Sequence, residues 1–284
     1  MEHVDVCVIG GGLSGLASAV CLAGAGKTVM LVEQSERLGG RASSDVYEGC
    51  FVNRGPHALC QKWIGMKVLG QLGIVPKGGT LALGGTLTER EHEYELPMTP
   101  LSLLKTNVFT WKQKKEFLSL LFRLTRQDLE KGAALDVIVK RLPNPDISFA
   151  LDLEQPLYFS NHSAAAVFTN HPDYQVIHTF KYHRASEIPD SDQDRELLEA
   201  FLDRLQPGWQ NEVLKKRYLP AMTVSHSLVT PERAAMLSKE SPAIKEIPGL
   251  YAVGDWFARE GLLADAALAS AYEAVQDILK MEGK

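Results

Sequence analysis

The segment Val4–Arg41, VDVCVIGGGLSGLASAVCLAGAGKTVMLVEQSERLGGR, constrains the fold of the chain more than any other. An apolar run, Val4–Ile9, ends in Gly10-Gly11-Gly12-Leu13-Ser14-Gly15, which fits G-x-G-x-x-G. A helical stretch of small and apolar residues follows, Leu16–Ala25, and a second apolar run, Thr28–Val32, ends on Glu33. This order predicts a β-α-β unit with a carboxylate at the tip of its second strand. Gly10 permits the tight strand-to-helix turn, Gly12 lets the backbone approach a pyrophosphate, and Gly15 lets the helix pack against the strands. The helix beginning near Leu13 and Ser14 turns free N–H groups and a positive dipole end toward that anion. Glu33, with Gln34 beside it, stands where a carboxylate accepts hydrogen bonds from ribose hydroxyls. It would repel a 2′-phosphate, so a dinucleotide without that phosphate is expected. A glycine-rich turn in some other α/β unit leaves Glu33 unexplained.

The chain has 284 residues, enough for one large domain or two modest ones. Its 45% hydrophobic and 23% charged content is that of an ordinary globular protein. A net charge of −5 and the lack of any basic run argue against a nucleic-acid partner. No apolar run approaches the ~18 residues of a transmembrane helix, and the early first strand leaves no room for a signal peptide. Cys7, Cys21, Cys50 and Cys60 contain no C-x-x-C and are expected as small core residues in a reducing cytoplasm. Neither a disulfide nor a metal is expected.

Past Glu33 comes Ser35-Glu36-Arg37-Leu38-Gly39-Gly40-Arg41-Ala42. This R-x-G-G-R pattern, closely following the ribose-binding acid, resembles the second motif of the FAD-binding amine oxidase and phytoene desaturase superfamily. The resemblance implies that Gly39 and Gly40 bring backbone against the FAD diphosphate. It also places Arg41 near the phosphates and flavin, with Arg37 a weaker candidate; a solvated loop arginine is the plain alternative. Phe51 to Leu59, FVNRGPHAL, is similar to the family segment that approaches the isoalloxazine ring, with Gly55 and His57 as candidates. His57 reads equally well as a loop histidine capping a helix.

The middle of the chain is less informative. Residues 62–73 suggest a helix, Thr86–Leu96 alternates like a strand, and Lys112–Lys131 reads as a helix with a broad apolar face. That face suits packing on its own domain, with an oily channel or peripheral membrane contact as alternatives. From Leu135 to His183 apolar and aromatic runs separated by Pro and Asn turns predict an antiparallel sheet. His162, His171, His178 and His183 lie in it without ligand spacing or nearby carboxylate pairs, which predicts no metal. Ser191 opens a helix to about Leu205, a short helix follows, and Met222–Thr230 has no readable role.

Near the C-terminus, Leu250-Tyr251-Ala252-Val253 reads as a short strand ending in Gly254-Asp255, and Gly261 to Ala271 opens a helix continuing to about Lys280. This resembles the C-terminal FAD motif of the same superfamily. By resemblance, Asp255 bonds a ribityl hydroxyl, Gly254 permits close backbone approach, and the helix N-terminus at Leu263 and Ala264 faces the flavin.

The chain thus looks like a phytoene desaturase-type FAD-dependent oxidoreductase. The implied fold is α/β, a Rossmann-like FAD-binding domain built from residues 1–62 and 236–284. Between them, residues 63–235 form an inserted α+β substrate domain with an antiparallel sheet. The departure is length: a block is missing around Gly132, including a strand that completes the FAD sheet. The glycine-rich strand is therefore expected to lack a neighbour. The implied activity is hydride transfer from a small apolar, isoprenoid-type substrate to flavin N5, then to an unknown electron acceptor. A flavin amine oxidase or protoporphyrinogen oxidase-like enzyme, and a truncated non-catalytic dinucleotide-binding protein, are the alternatives. No catalytic side chain is assigned, because the cofactor carries such chemistry.

Overall fold

The computed structural model describes residues 3–55, 59, 63–79, 84–90, 92–97, 99–115, 131–183, 187–224, 241–257 and 260–282. The chain forms two compact units, one of residues 1–44, 53–76 and 224–284 and the other of residues 45–52 and 77–223. The amphipathic stretch expected over 112–131 falls mostly outside the described residues.

In the first unit, strands β1 (Val6–Ile9) and β2 (Val29–Val32) pair in parallel, with Val6 opposite Val29 and Ile9 opposite Val32. Helix α1 (Leu13–Gly24) connects them. Among the described residues this sheet has two strands. The alternation of strand side chains then leaves one apolar face open. Ile9 is 85% exposed, and Met30 and Val32 on the same face are exposed as well. Cys7 shares that face and is exposed rather than a core residue. Cys50 is buried, and Cys21 is partly buried.

Helix α2 (Ile64–Gln71) and the long C-terminal helix α5 (Leu263–Glu282) complete this unit, with α5 lying along both α1 and α2. Their shared core is Ala17, Val68, Leu69, Leu268 and Ala271. Small residues at Ala266, Ala267, Ala269, Ser270 and Ala271 let α5 come close, and all five are buried. The buried Asp265 accepts a hydrogen bond from Gly65 N at 3.1 Å, which ties the start of α5 to the start of α2. The strand expected over Leu250–Val253 reduces to one isolated bridge between Tyr251 and Ala243.

The second unit is built on a seven-stranded sheet in the order β11-β7-β10-β9-β8-β5-β6. Its strands are β5 (Thr86–Glu89), β6 (His92–Glu95), β7 (Lys131–Val139), β8 (Phe149–Asp152), β9 (Leu157–Asn161), β10 (Gln175–Tyr182) and β11 (Val213–Thr223). All pairings are antiparallel except β5 with β8. Period-two alternation gives β7 two faces. Ala133, Leu135, Val137 and Val139 pack in one core with Ile177 and Phe159. Helix α4 (Ser191–Leu205) covers that face with Leu198, Phe201, Leu202 and Leu205, spaced as one helical stripe. Each fully buried leucine there contributes about 1.5–3 kcal/mol. Asp190 caps α4, accepting from Asp192 N and Gln193 N, one residue earlier than the sequence suggests.

The hairpin β3 (Ser44–Tyr47) and β4 (Cys50–Asn53) turns through Glu48 and Gly49, both left-handed, as a tight hairpin turn requires. Cys50 and Val52 pack on Ile138 and Val176, at one end of the second sheet face. The sequence reading missed β11, giving a short helix and a loop where an edge strand runs. Its charges and Pro220 disguise it. The pairing with β7 shifts register between Leu219 and Met222, so the proline sits where the ladder is interrupted. No helix among the described residues is long and apolar enough to cross a membrane.

Candidate functional site

The site lies within the first unit, a cavity of about 590 Å³ walled by loops from both ends of the chain. The first wall is the glycine turn, contributing Gly10, Gly12, Leu13, Ser14 and Gly15. Gly10 is left-handed with φ of 100°, which reverses the chain between β1 and α1. A Cβ on Gly15 would lie 2.0 Å from the Gly10 carbonyl oxygen, so the turn closes on a glycine there. A Cβ on Gly12 would meet nothing within 4 Å, leaving open space over the backbone. Gly12 is also the N-cap of α1 and has no side-chain cap, so the first N–H groups of that helix remain available to an anion.

The second wall is Gly39, Gly40 and Arg41. Gly39 and Gly40 are both left-handed, with φ of 102° and 52°. The doublet thereby docks on the first turn: Gly39 N donates to the Gly11 carbonyl at 2.7 Å, and Gly39 bridges Gly12 in parallel. The third wall comes from the far end of the chain, with Gly254, Asp255, Leu263 and Ala264. Arg41 Nη2 donates to Asp255 Oδ1 at 2.8 Å, and Nη1 donates to the Val224 carbonyl at 2.8 Å. The other oxygen, Asp255 Oδ2, is buried without a hydrogen-bond partner among the described residues. Gly254 is held by Ser270, whose Oγ accepts from Gly254 N at 2.9 Å. A Cβ on Gly254 would collide with the Trp256 indole at 2.3 Å. Leu263 opens α5 in a left-handed conformation, φ 51°, a strained state for a leucine.

Of the seventeen residues singled out in the sequence, twelve line this cavity and the other four described ones do not. Glu33 stands behind the glycine turn: Oε2 accepts from Gly11 N at 2.6 Å and Oε1 from Ser35 N at 2.9 Å. These backbone donors, Ser35 first and then Gly11, hold the carboxyl below the usual glutamate range. Gln34 is exposed, outside the cavity. Arg37 is exposed and donates through Nη2 to the Ser44 carbonyl at 2.9 Å. Gly55 packs on the Arg41 backbone, where a Cβ would come within 2.9 Å of the Arg41 carbonyl. His57 lies outside the described residues. Six lining residues were not singled out as ligands in the sequence: Ile9, Ala42, Val224, Val253, Trp256 and Ala267. Val224 enters because its carbonyl anchors Arg41, a contact between residues 183 positions apart.

These features fit a dinucleotide. Open backbone over Gly12 and an uncapped helix suit a diphosphate, and the orphaned Asp255 oxygen suits a sugar or ribityl hydroxyl. In the second unit, His183, Glu187 and Asp194 bring ligand atoms within 4.8 Å of one another. The carboxylate pairs that the sequence did not show are therefore present. Lys181 Nζ donates to both Glu187 and Asp194 at 2.5 Å, and His183 Nε2 lies 2.6 Å from the other Asp194 oxygen.

Residues 8–64 match the NAD(P)-binding Rossmann-like domain family. The chain is 49% identical over 59 residues to an L-amino-acid oxidase of Demansia vestigiata, covering 20% of this chain and 11% of that protein. It is 50% identical over 52 residues to a carotenoid 3,4-desaturase of Haloarcula japonica, covering 18% of this chain and 10% of that one. The matched region spans only about a tenth of the length of these relatives. The solved structure of a putative protoporphyrinogen oxidase from Exiguobacterium superposes with a TM-score of 0.70 at 12% identity, covering 99% of this chain and 100% of that one. That structural likeness extends over nearly the whole chain and shows the fold. The family match is confined to residues 8–64 and is that of an NAD(P)-binding Rossmann-like domain, in agreement with the glycine turn and the β-α-β unit.

Proposed function

We propose that this chain is an FAD-dependent oxidoreductase that takes a hydride from a small apolar, isoprenoid-type substrate. The observation that carries the reading is the cavity of the first unit, where Gly12, Gly40, Arg41 and Asp255 converge from both chain ends. Bound FAD would supply the redox chemistry, accepting the hydride and passing electrons to an external acceptor. The protein's part is to hold and polarise. The α1 N-terminus and the Gly12 backbone take the diphosphate, and Glu33, kept ionised by Gly11 and Ser35, offers its remaining lone pairs to a ribose. Arg41 supplies fixed positive charge beside the Asp255 carboxylate, and the α5 N-terminus adds a dipole at the same cavity. The apolar substrate is supported by the family resemblance and by the local similarity to a carotenoid desaturase.

The test is the purified chain. A yellow protein with a flavin spectrum, bleached by dithionite and reoxidised by a dye, is expected. Colourless protein that takes up no added FAD overturns the reading. Bound FAD that never exchanges electrons leaves a dinucleotide-binding protein without turnover. The open β1–β2 face is the one structural feature on that side of the question.

A further inference from the structure

The sheet of the second unit has a face turned away from α4, and the alternation of β7 and β10 puts Asp136, His178, Phe180 and Tyr182 on it. His178 Nδ1 lies 2.5 Å from Asp136 Oδ1. Arg217 of β11 donates to Asp136 Oδ2 through Nε at 2.9 Å and Nη2 at 2.6 Å, and through Nη1 to Asp45 Oδ2 at 2.8 Å. Three strands and the β3–β4 hairpin thus fix the orientation of one imidazole. With its Nδ1–H given to a carboxylate, the neutral ring presents Nε2 as an acceptor. Nε2 has no partner among the described residues, and 14% of the side chain is accessible.

Rings surround it. His162 stacks on His178 with centroids 5.3 Å apart, and Tyr158 meets it edge-on at 6.0 Å. Phe180 lies beside it at 6.0 Å, and Tyr182 meets Phe180 edge-on at 4.8 Å. Gly132 makes the room: a Cβ there would come within 2.2 Å of the Phe180 ring. Charged groups on this face are already matched, since Asp136 and Asp45 share Arg217. Among the described residues, a cationic amine would meet there only carboxylates already paired with Arg217.

We propose that this ring-lined face is a binding wall for a flat, uncharged aromatic or conjugated ligand whose single hydroxyl or N–H donates to His178 Nε2. The inference rests on the oxidoreductase reading in so far as that ligand is the substrate. It narrows the apolar substrate to one with planar unsaturation and one hydrogen-bond donor, and it makes His178 a specificity-determining residue.

The experiment uses FAD-loaded protein titrated with 2-naphthol and with naphthalene, followed by probe fluorescence. The wild type is expected to bind 2-naphthol about three- to tenfold more tightly, the worth of one neutral hydrogen bond. His178→Phe keeps the rings stacked and is expected to retain naphthalene affinity while abolishing the preference. Equal affinities in the wild type, or a preference that survives His178→Phe, overturn the proposal. Should His178→Phe fail to fold because Asp136 loses a partner, Tyr158→Leu is the second arm. It leaves the ion pairs intact and is expected to weaken both probes about threefold or more, the worth of an aromatic pair. Unchanged affinity in that variant also overturns the wall. Flavin absorbance separates the two levels. Protein that takes up FAD but ignores both probes sinks only the wall, whereas protein that takes up no FAD sinks the function and the substrate assignment with it.

Discussion

Arg41 Nη2 lies 2.8 Å from Asp255 Oδ1, joining residues 214 positions apart across the nucleotide cavity. The pair is lopsided: the arginine side chain keeps 32% of its surface and the aspartate 6%. A partly exposed pair of this kind contributes little by itself. Its value lies in aim. The guanidinium is clamped from two sides by Asp255 and the Val224 carbonyl, so it reaches the cavity with its entropy already spent. The carboxylate keeps one buried oxygen without a donor among the described residues, which is costly until one arrives.

That arrangement makes Asp255→Asn a direct test of the ligand contact. The amide keeps the size and loses the charge, so hydrogen bonds from ligand hydroxyls weaken and Arg41 loses its charged partner. FAD affinity is expected to fall about ten- to a hundredfold, the range for one charge-assisted hydrogen bond. Quenching of flavin fluorescence on titration measures it. An unchanged dissociation constant would remove Asp255 from the contact.

Gly12 and Gly15 separate ligand binding from folding. Gly15→Ala drives a Cβ into the Gly10 carbonyl at 2.0 Å, so the β1–α1 turn must open and thermal stability is expected to drop, with ΔΔG of about 1–3 kcal/mol. Gly12→Ala meets no protein atom within 4 Å. Its melting temperature without FAD is expected to stay within a few degrees of wild type, while FAD affinity falls because the methyl occupies diphosphate space. Calorimetry of both variants with and without FAD distinguishes the cases. Equal destabilisation of the two apoproteins would contradict the open cradle.

Gly65 and Asp265 test how the two helices of the first unit are joined. A Cβ on Gly65 would lie 2.4 Å from Asp265 Oδ1. Gly65→Ala is therefore expected to cost about 1–3 kcal/mol, and Asp265→Ala a similar amount through the lost buried hydrogen bond. The double variant is expected to cost less than the sum, because the second change removes the atom that the first one strikes. Urea unfolding of the four proteins gives the coupling energy. Strict additivity would show that α2 and α5 are not joined here.

Much of this architecture could be read from the chain, for physical reasons that also explain what could not. The turn from Gly10 to Gly15, the Gly39–Gly40 doublet and the α5 stripe of small residues are local patterns whose steric meaning does not depend on distant partners. Helix α4 was legible because Leu198, Phe201, Leu202 and Leu205 repeat at helical spacing. Strand β11 was not, since Lys215, Lys216, Arg217 and Pro220 obscure any period and its ladder is made with β7, about eighty residues earlier. The Asp136–His178–Arg217 chain was illegible for the same reason: its members come from three strands and meet only through register. Exposure of Cys7 could not be read from its apolar strand, because it depends on how many neighbours β1 has. Glu33 was placed correctly at the strand tip, but its first partners are Gly11 and Ser35 of its own turn.

The Asp136 network gives the second unit a characteristic acid response. Burial alone would raise the Asp136 carboxyl, but its contacts with His178 and Arg217 outweigh it and hold the group below its ordinary value of 3.8. A carboxyl lowered by folding stabilises the folded state fully above the unfolded value and ceases to do so as pH falls through the folded one. The contribution of Asp136 is therefore intact at neutral pH and is lost below about pH 3.8. Asp136→Asn is expected to cost about 3 kcal/mol at pH 7, the penalty for removing one partner of a buried pair while Arg217 and Asp45 remain. The same variant should lose less stability than wild type between pH 4 and pH 2, because a titrating group has gone. Urea midpoints across that range, read by near-ultraviolet circular dichroism of the surrounding tyrosines, check both statements. Parallel acid limbs in the two proteins would show that Asp136 titrates alike folded and unfolded, and that the chain from Asp45 to His178 does not hold its charge.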